Sequence, residues 1–376
     1  MSEPFKNLIH AGTVRLARQH LSRAWPGFDG KRFEALATAR LESLELKARA
    51  QHLCSALEAT LPADFNHAAN VIEASLAPVN GDETLAAPHE ATAGLTGWVV
   101  WPLAEYVARR GLDAPTRALA ALHALTQRFT AEWSIRPFIE QHPELTFATL
   151  HQWTDDPSPH VRRLVSEGSR PRLPWGLQLK GLIADPSPTL PLLRALQDDP
   201  SEYVRRSVAN HLNDIAKDHP ELLARWLGEH LADATPARRA LLRHACRTLI
   251  KQGDAAVLKA WGLGQRLKGS VLFSLSAKRV RVGDSLGIEL SLQSTAKRPQ
   301  KLVIDYAVHH MKANGQTSPK VFKGWALELA PLEQRVLTKH HSMRPITTRR
   351  YHAGRHELDI RINGEVLASG GFDLRL

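Results

Sequence analysis

One block of sequence returns after 43 residues: Asp156-Pro157-Ser158, then Val161-Arg162-Arg163 and Val165, reappears as Asp199-Pro200-Ser201, Val204-Arg205-Arg206 and Val208. In each copy the Asp-Pro-Ser turn opens a helix. Asp or Ser can cap it, and the fixed φ of proline suits its first turn. Val161, Leu164 and Val165 recur at helical spacing and form one apolar face. The first copy stops at Gly168, because Pro171 and Pro174 prevent Ser169–Trp175 from continuing the helix. A helical pair repeated at this interval buries little alone. It builds a core by stacking on its neighbours, and that stacking leaves a curved inner surface. The copies differ at one telling place: Glu167 in the first falls opposite Asn210 in the second. A charge present in one copy only points to a task other than scaffolding.

The period is that of a HEAT-like pair, and helical segments extend to about Gln252. Arg40–Ala50 is rich in helix formers, and Pro115–Phe129 is strongly helical. Phe129–Ile139 reads as a continuation of that pattern, up to or past Pro137. Residues 79–93 read as a polar loop. The character changes near Gly264, beyond which β-branched residues and alternation dominate. Seven short strands are expected: 271–275, 287–292, 302–308, 321–329, 335–341, 356–362 and 372–376. Asn314-Gly315 and Asn363-Gly364 are hairpin-turn signals. The expected fold is mainly α: a HEAT-like α-α superhelix (solenoid) over 1–263, followed by an Ig-like β-sandwich over 268–376.

The chain of 376 residues carries a net charge of +11, which favours an anionic partner, and nucleic acid is the commonest large one. From Lys268 onward there are 18 Lys and Arg against 9 Asp and Glu, so the basic surplus is concentrated in the strand segment. No apolar run approaches the ~20 residues that span a bilayer. The N-terminal stretch lacks the pattern of a signal peptide. Two cysteines, Cys54 and Cys246, fit neither a disulfide framework nor a cysteine zinc site. The expectation is a soluble cytoplasmic protein that uses no metal and no cofactor. His309-His310 and His340-His341 lie on expected strands, where adjacent rings point to opposite faces and do not form a metal site.

The segments TAEWSIRPFI (130–139), VRRLVSEGSRPRLPW (161–175) and DDPSEYVRRSVANHLNDIAKDHP (198–220) resemble the AlkC branch of the HEAT-like-repeat DNA glycosylases. The resemblance runs through the helical portion. The tail, with KGWALEL, ITTRRYHAGRH and INGE, is similar to the Ig-like domain carried by some members. SEGSRPRLPW is the specific part; DDPS followed by VRR would match many HEAT repeats. The resemblance implies excision of small cationic alkylated bases, such as 3-methyladenine and 3-methylcytosine, from double-stranded DNA without flipping the lesion. It further implies that Glu132, Glu167 and Trp175 face the lesion, and that Arg136, Arg163 and Arg170 lie near phosphates.

An N3-alkylated base is already a cationic leaving group, so its release needs little acid help. Positive charge develops on the deoxyribose, and a carboxylate beside it stabilises that charge, an effect on the order of 10²- to 10³-fold in rate. A tryptophan face toward a cation adds roughly 0.5 to 2 kcal/mol. Spacing alone also allows plain i,i+4 ion pairs, Glu132 with Arg136 and Arg163 with Glu167. Trp133, on a face with Phe129, reads as packing. Arg162, Arg205 and Arg238 could be plainly solvated, but arginines recurring at one place in stacked repeats build a stripe that tracks phosphates, and Arg172 and Arg206 are also expected at the DNA. In the tail, Lys297, Arg298, Lys312, Arg349 and Arg350 fall on expected loops and would clamp DNA as part of a protein acting as a monomer. Two other classes stay open at this point: a non-catalytic DNA-binding HEAT scaffold and a protein–protein adaptor.

Overall fold

A computed structural model describes residues 5–79, 93–263, 265–346 and 349–376. Most of the loop expected over 79–93, and the change of character expected at Gly264, lie outside the described residues. Those residues contain sixteen α-helices followed by eight strands. The helices are Ala11–Ala24 (α1), Gly30–Thr38 (α2), Leu46–Glu58 (α3), Phe65–Ala74 (α4), Val100–Arg110 (α5), Pro115–Thr126 (α6), Arg136–Gln141 (α7) and Pro143–Trp153 (α8). After these come Pro159–Gly168 (α9), Lys180–Ala184 (α10), Leu190–Leu196 (α11), Glu202–Ile215 (α12), Pro220–His230 (α13), Pro236–Ala245 (α14), Arg247–Gln252 (α15) and Ala255–Ala260 (α16). No helix among the described residues is long and apolar enough to cross a membrane.

Two compact units divide the chain: Met1–Asp218 with Thr235–Ala245, and His219–Ala234 with Cys246–Leu376. In the first, α9 packs on α12 and α12 on α14, so the repeated segments stack as neighbours. Val161, Leu164 and Val165 of α9 and Val204 and Val208 of α12 are fully buried between them. The repeated Asp-Pro-Ser turn closes on itself. Asp156 Oδ1 accepts from the Ser158 amide and Asp199 Oδ1 from the Ser201 amide, both at 2.8 Å. Arg162 Nη1 donates to the carbonyls of Asp156 and Pro157, and Arg205 Nη1 does the same to Asp199 and Pro200. Arg162 also forks onto both carboxylate oxygens of Asp199, at 2.6 and 3.0 Å, tying one repeat to the next. Arg162 and Arg205, expected in a phosphate stripe, thus spend their Nη1 donors on the turns of their own repeats.

The second unit holds the strands, in two sheets. They are Gly269–Leu275 (β1), Arg279–Arg281 (β2), Ser285–Ser294 (β3), Gln300–Met311 (β4), Thr317–Leu329 (β5), Gln334–Ser342 (β6), Gly354–Ile362 (β7) and Glu365–Arg375 (β8). One sheet has the order β1-β3-β6 and the other β2-β8-β7-β4-β5. Alternate residues of β3 (Leu286, Ile288, Leu290, Leu292) and of β4 (Leu302, Ile304, Tyr306, Val308) meet Leu358, Ile360 and Ile362 of β7 in one core. The seven expected strands are all present. The three-residue β2 was not expected, being too short to alternate visibly. β8 starts seven residues earlier than expected, because Asn363 and Gly364 take positive φ (50° and 85°) and turn the chain straight back from β7. The same turn seats against Gly253 after α15: a Cβ on Gly364 would lie 2.5 Å from the Gly253 Cα.

The sandwich buries three histidines together. His310, His341 and His356 are at most 6 % exposed, and the His310 ring stands 5.6 Å from His356 and 6.5 Å from His341. Arg349 Nη1 donates to His310 Nε2 at 2.7 Å, so that imidazole is neutral and accepting. Burial first, then the charge of Arg349, pushes His310 down to about 3 and His341 to about 4; burial also lowers His356. Lys320 on β5 adds to the repulsion at His310 and His341, and the flanking Tyr306, Phe322, Tyr351 and Phe372 offer no negative charge. The unfolded chain protonates near its ordinary value of 6.5, while the folded sandwich resists until far lower pH. This stability is therefore complete above that value and is lost as pH falls below it. Urea unfolding should give a lower midpoint at pH 5 than at pH 7.5, and His310→Gln should flatten that dependence.

Candidate active site

The helical pattern expected to run through Phe129–Ile139 breaks. Residues 132–135 form a turn, and α7 begins only at Arg136, with Pro137 in its first turn. The break matters, because it turns Glu132 inward toward α9. Arg163 Nη1 meets Glu132 Oε2 at 2.8 Å, and its Nη2 lies 3.8 Å from Glu167 Oε1. The two acids expected to work together thus converge on one guanidinium: Glu167 as an i,i+4 pair along α9, and Glu132 across from the turn before α7 rather than with Arg136. Glu132 takes a further bond from Thr130 Oγ1 at 2.6 Å, again on Oε2, so that among the described residues Oε1 has no hydrogen-bond donor. Glu167 is fully engaged: Oε1 with Arg170 Nη1 at 2.5 Å and Oε2 with Ser207 Oγ at 2.6 Å. Arg170 continues to Asp214 Oδ2 at 2.8 Å, and Lys217 closes the chain on Asp214 Oδ1 at 2.8 Å.

Glu132, Arg163, Glu167, Arg170, Asp214 and Lys217 therefore form one ladder, three acids against three bases. Burial raises the Glu167 carboxyl, but Arg163 and Arg170 outweigh it and hold the group below the usual carboxylate range. Desolvation opposes the charge on Arg163 and is overcome chiefly by Glu132; the guanidinium ends above its ordinary value. Its carbon lies 4.9 Å from the Tyr203 ring centroid, so an aromatic face backs the cation. Beneath the ladder, His211 Nδ1 donates to the Ser166 carbonyl at 2.9 Å, and burial pushes its pKa down to about 4.

Trp175 stands apart from the acids and reaches them through Trp133. The Trp175 indole is 62 % exposed and its backbone is left-handed, at φ 63°. Trp133 lies on it, with ring centroids 6.5 Å apart and planes at 26°, and Trp101 stacks on the far side of Trp133 at 4.5 Å. Trp133 is half-buried, and its Nε1 donates to the Pro174 carbonyl at 3.1 Å. It packs between two tryptophans and in addition holds the Pro174 carbonyl.

The three arginines expected near phosphates through the resemblance are all engaged within the protein. Arg136 is 0 % exposed and no phosphate can reach it. It binds the carbonyls of Gly168, Arg170 and Leu177 at 2.8, 2.7 and 2.6 Å, and so shapes the whole 168–177 loop. Burial, then the nearby charge of Arg170, lowers it to about 10. Arg170 is 7 % exposed and serves Glu167 and Asp214. Arg163 likewise serves the acids. Arg172 forks onto Asp218 at 2.8 Å on both oxygens, and Arg206 pairs with Glu202 on an exposed face. In the strand unit Lys297, Arg298, Lys312 and Arg350 are exposed, while Arg349 is drawn in against His310. Sequence reasoning missed Thr130, Tyr203, Ser207, Asp214 and Lys47, whose Nζ donates to the Trp175 carbonyl at 2.9 Å. None of them carries a spacing signal, since each acts across elements.

The whole chain is similar to the solved structure of Pseudomonas fluorescens alkylpurine DNA glycosylase AlkC bound to DNA containing an abasic site analog. The two share 34 % identity and a TM-score of 0.90, with each covered over 100 % of its length. It is also 38 % identical over 378 residues to the uncharacterized protein YhaZ of Bacillus subtilis strain 168, covering 98 % of this chain and 99 % of that one. The chain belongs to the AlkC family. Residues 270–376 match the family described as the C-terminal Ig-like domain of uncharacterised protein YhaZ, so the β-sandwich is Ig-like and the stacked helices have the AlkC fold. In this AlkC-family chain the loop that ends in Trp175 depends on one buried cation. Arg136→Met should leave its carbonyls without partners and cost about 2–4 kcal/mol. Thermal unfolding measures that loss, and amide exchange should rise across 168–177.

Proposed function

We propose that the chain is a monofunctional DNA glycosylase. It hydrolyses the N-glycosidic bond of cationic N3-alkylated bases, such as 3-methyladenine and 3-methylcytosine, in double-stranded DNA, without flipping the lesion and without metal or cofactor. One observation carries the reading: Glu132 and Glu167 meet at Arg163, and both contacts to Glu132 among the described residues fall on Oε2, leaving Oε1 to face a ligand. A carboxylate presented in this way stabilises positive charge growing on the deoxyribose and can orient a water toward C1′. The leaving group departs neutral, so no acid is required of the protein. The exposed Trp175 offers a π face to the same cation. The likeness to the Pseudomonas fluorescens enzyme, an alkylpurine DNA glycosylase, supports the same chemistry here. Lys217 is engaged with Asp214, and the ladder provides no free lysine to attack the sugar, which supports hydrolysis over lyase chemistry. The protein acts as a monomer on cytoplasmic DNA.

Glu132→Gln should lower the release of free 3-methyladenine from methylated DNA by about 10²- to 10³-fold, read by chromatography, while binding to DNA with an abasic analog persists. Glu167→Gln should lower it too, since Arg163 then loses one of its two anchors. A wild-type protein that binds methylated DNA and frees no base would instead be a non-catalytic scaffold.

We further propose that Lys297, Arg298, Lys312 and Arg350 of the Ig-like domain hold DNA phosphates. Lys297→Ala with Arg298→Ala should weaken binding equally across sequences. The slope of log affinity against log salt should shrink by about 1.8, the value for two lost phosphate contacts.

A further inference from the structure

We propose that Lys47 and Trp133 are positioning residues that hold Trp175 at the angle from which it meets the substrate, an inference that rests on the glycosylase reading above. An exposed indole with a left-handed backbone keeps that conformation only when its surroundings over-determine it. Here three donors from three separate elements grip the carbonyls around it. Lys47 Nζ, from α3, holds the Trp175 carbonyl at 2.9 Å. Trp133 Nε1, from the turn before α7, holds Pro174 at 3.1 Å. Arg136 Nε, from α7, holds Leu177 at 2.6 Å. The Trp133 ring is itself fixed against the buried Trp101, at 4.5 Å and 28°.

The restraint has something to oppose. A cavity of about 620 Å³ opens beside Trp175, lined by Phe5, Leu46, Lys47 and Trp101. It is roomy enough to take the indole, so the ring has a second place to go once the carbonyl is released. Glu132 and Trp133 are consecutive residues of one turn. That turn presents the acid to Arg163 and the indole to Trp175, so the carboxylate and the aromatic face are set by a single piece of backbone. Lys47 supplies the other end of the grip from a distant part of the chain.

A double-mutant cycle tests the assignment. Lys47→Met, at a surface position that leaves folding intact, should slow the single-turnover release of 3-methyladenine by about 10-fold with affinity for abasic-analog DNA unchanged. Lys47→Arg should restore most of the rate. Trp133→Phe, which keeps the ring face and loses the N–H, should move the rate the same way. In a Trp175→Ala background Lys47→Met should change nothing, because the residue it positions is gone. Near-UV circular dichroism should show the stacked-indole signal weakened by Lys47→Met. Equal losses from Lys47→Met with and without Trp175 would overturn the proposal. So would a loss of affinity with a shallower salt slope, the signature of a phosphate contact. If the wild type freed no base at all, the glycosylase reading would fail while the dichroism still tested the hold on Trp175.

Discussion

Two carboxylates buried a few ångströms from each other repel, and each loses its water. They stay ionised only if a cation is buried with them. Arg163 is that cation for Glu132 and Glu167, and the architecture of the first unit follows from keeping it there. The helical repeat brings α9 beside α12, which supplies Ser207 for Glu167 and the Tyr203 ring for Arg163. Arg170, at the end of α9, satisfies the same acid and hands on to Asp214. Removing Arg163 or Arg170 would leave a buried acid short of its cation, so these two hold the ladder together as a set.

The repeat was legible because period and turn chemistry are written in consecutive residues. Asp156 and Asp199 do what an Asx turn predicts, and the valines are buried as their spacing requires. The alternation of the tail likewise marked every strand long enough to alternate. What was misread was the destination of the arginines. Glu167 was singled out because only one copy carries it, and it does sit in the ladder. The same logic applied to Arg162 and Arg205 points the other way. A side chain present in both copies serves what both copies share, which is the Asp-Pro-Ser turn and its carbonyls. Arginine can reach five or six residues back along its own chain as easily as outward to a ligand, and spacing does not distinguish the two.

The site was less legible than the fold because its decisive feature is an interruption. A continuous helix through Phe129–Ile139 would place Glu132 on the same face as Arg136. The turn at 132–135 sends them apart, Glu132 to Arg163 and Arg136 into the interior. Local propensity gave no sign of this, as the residues are ordinary helix formers apart from Pro137. Gly168 helps to decide it: a Cβ there would lie 2.5 Å from Ile135 Cγ2, so only glycine lets the end of α9 close onto the turn. Similarly, alternation placed His310 and His341 on strands, but only the registry of two sheets brings them to His356.

The ladder balances three acids with three bases, which at first looks ill suited to attracting a cationic lesion. Its arrangement resolves the difficulty. Among the described residues the contacts to Glu132, Arg163 included, fall on Oε2 and not on Oε1, so the pair behaves as a dipole rather than as a free anion. The field of a dipole falls off faster than that of a charge. At the distance of neighbouring phosphates, a Debye length or so away, little of it remains, and the polyanion is not repelled. Within a few ångströms of Oε1 the nearer carboxylate dominates, and a sugar becoming positive gains most there. A lone carboxylate would provide the same local field at the expense of DNA affinity. A buried Arg163 separates the two effects, so a site for a cation can be built on a protein whose partner is an anion.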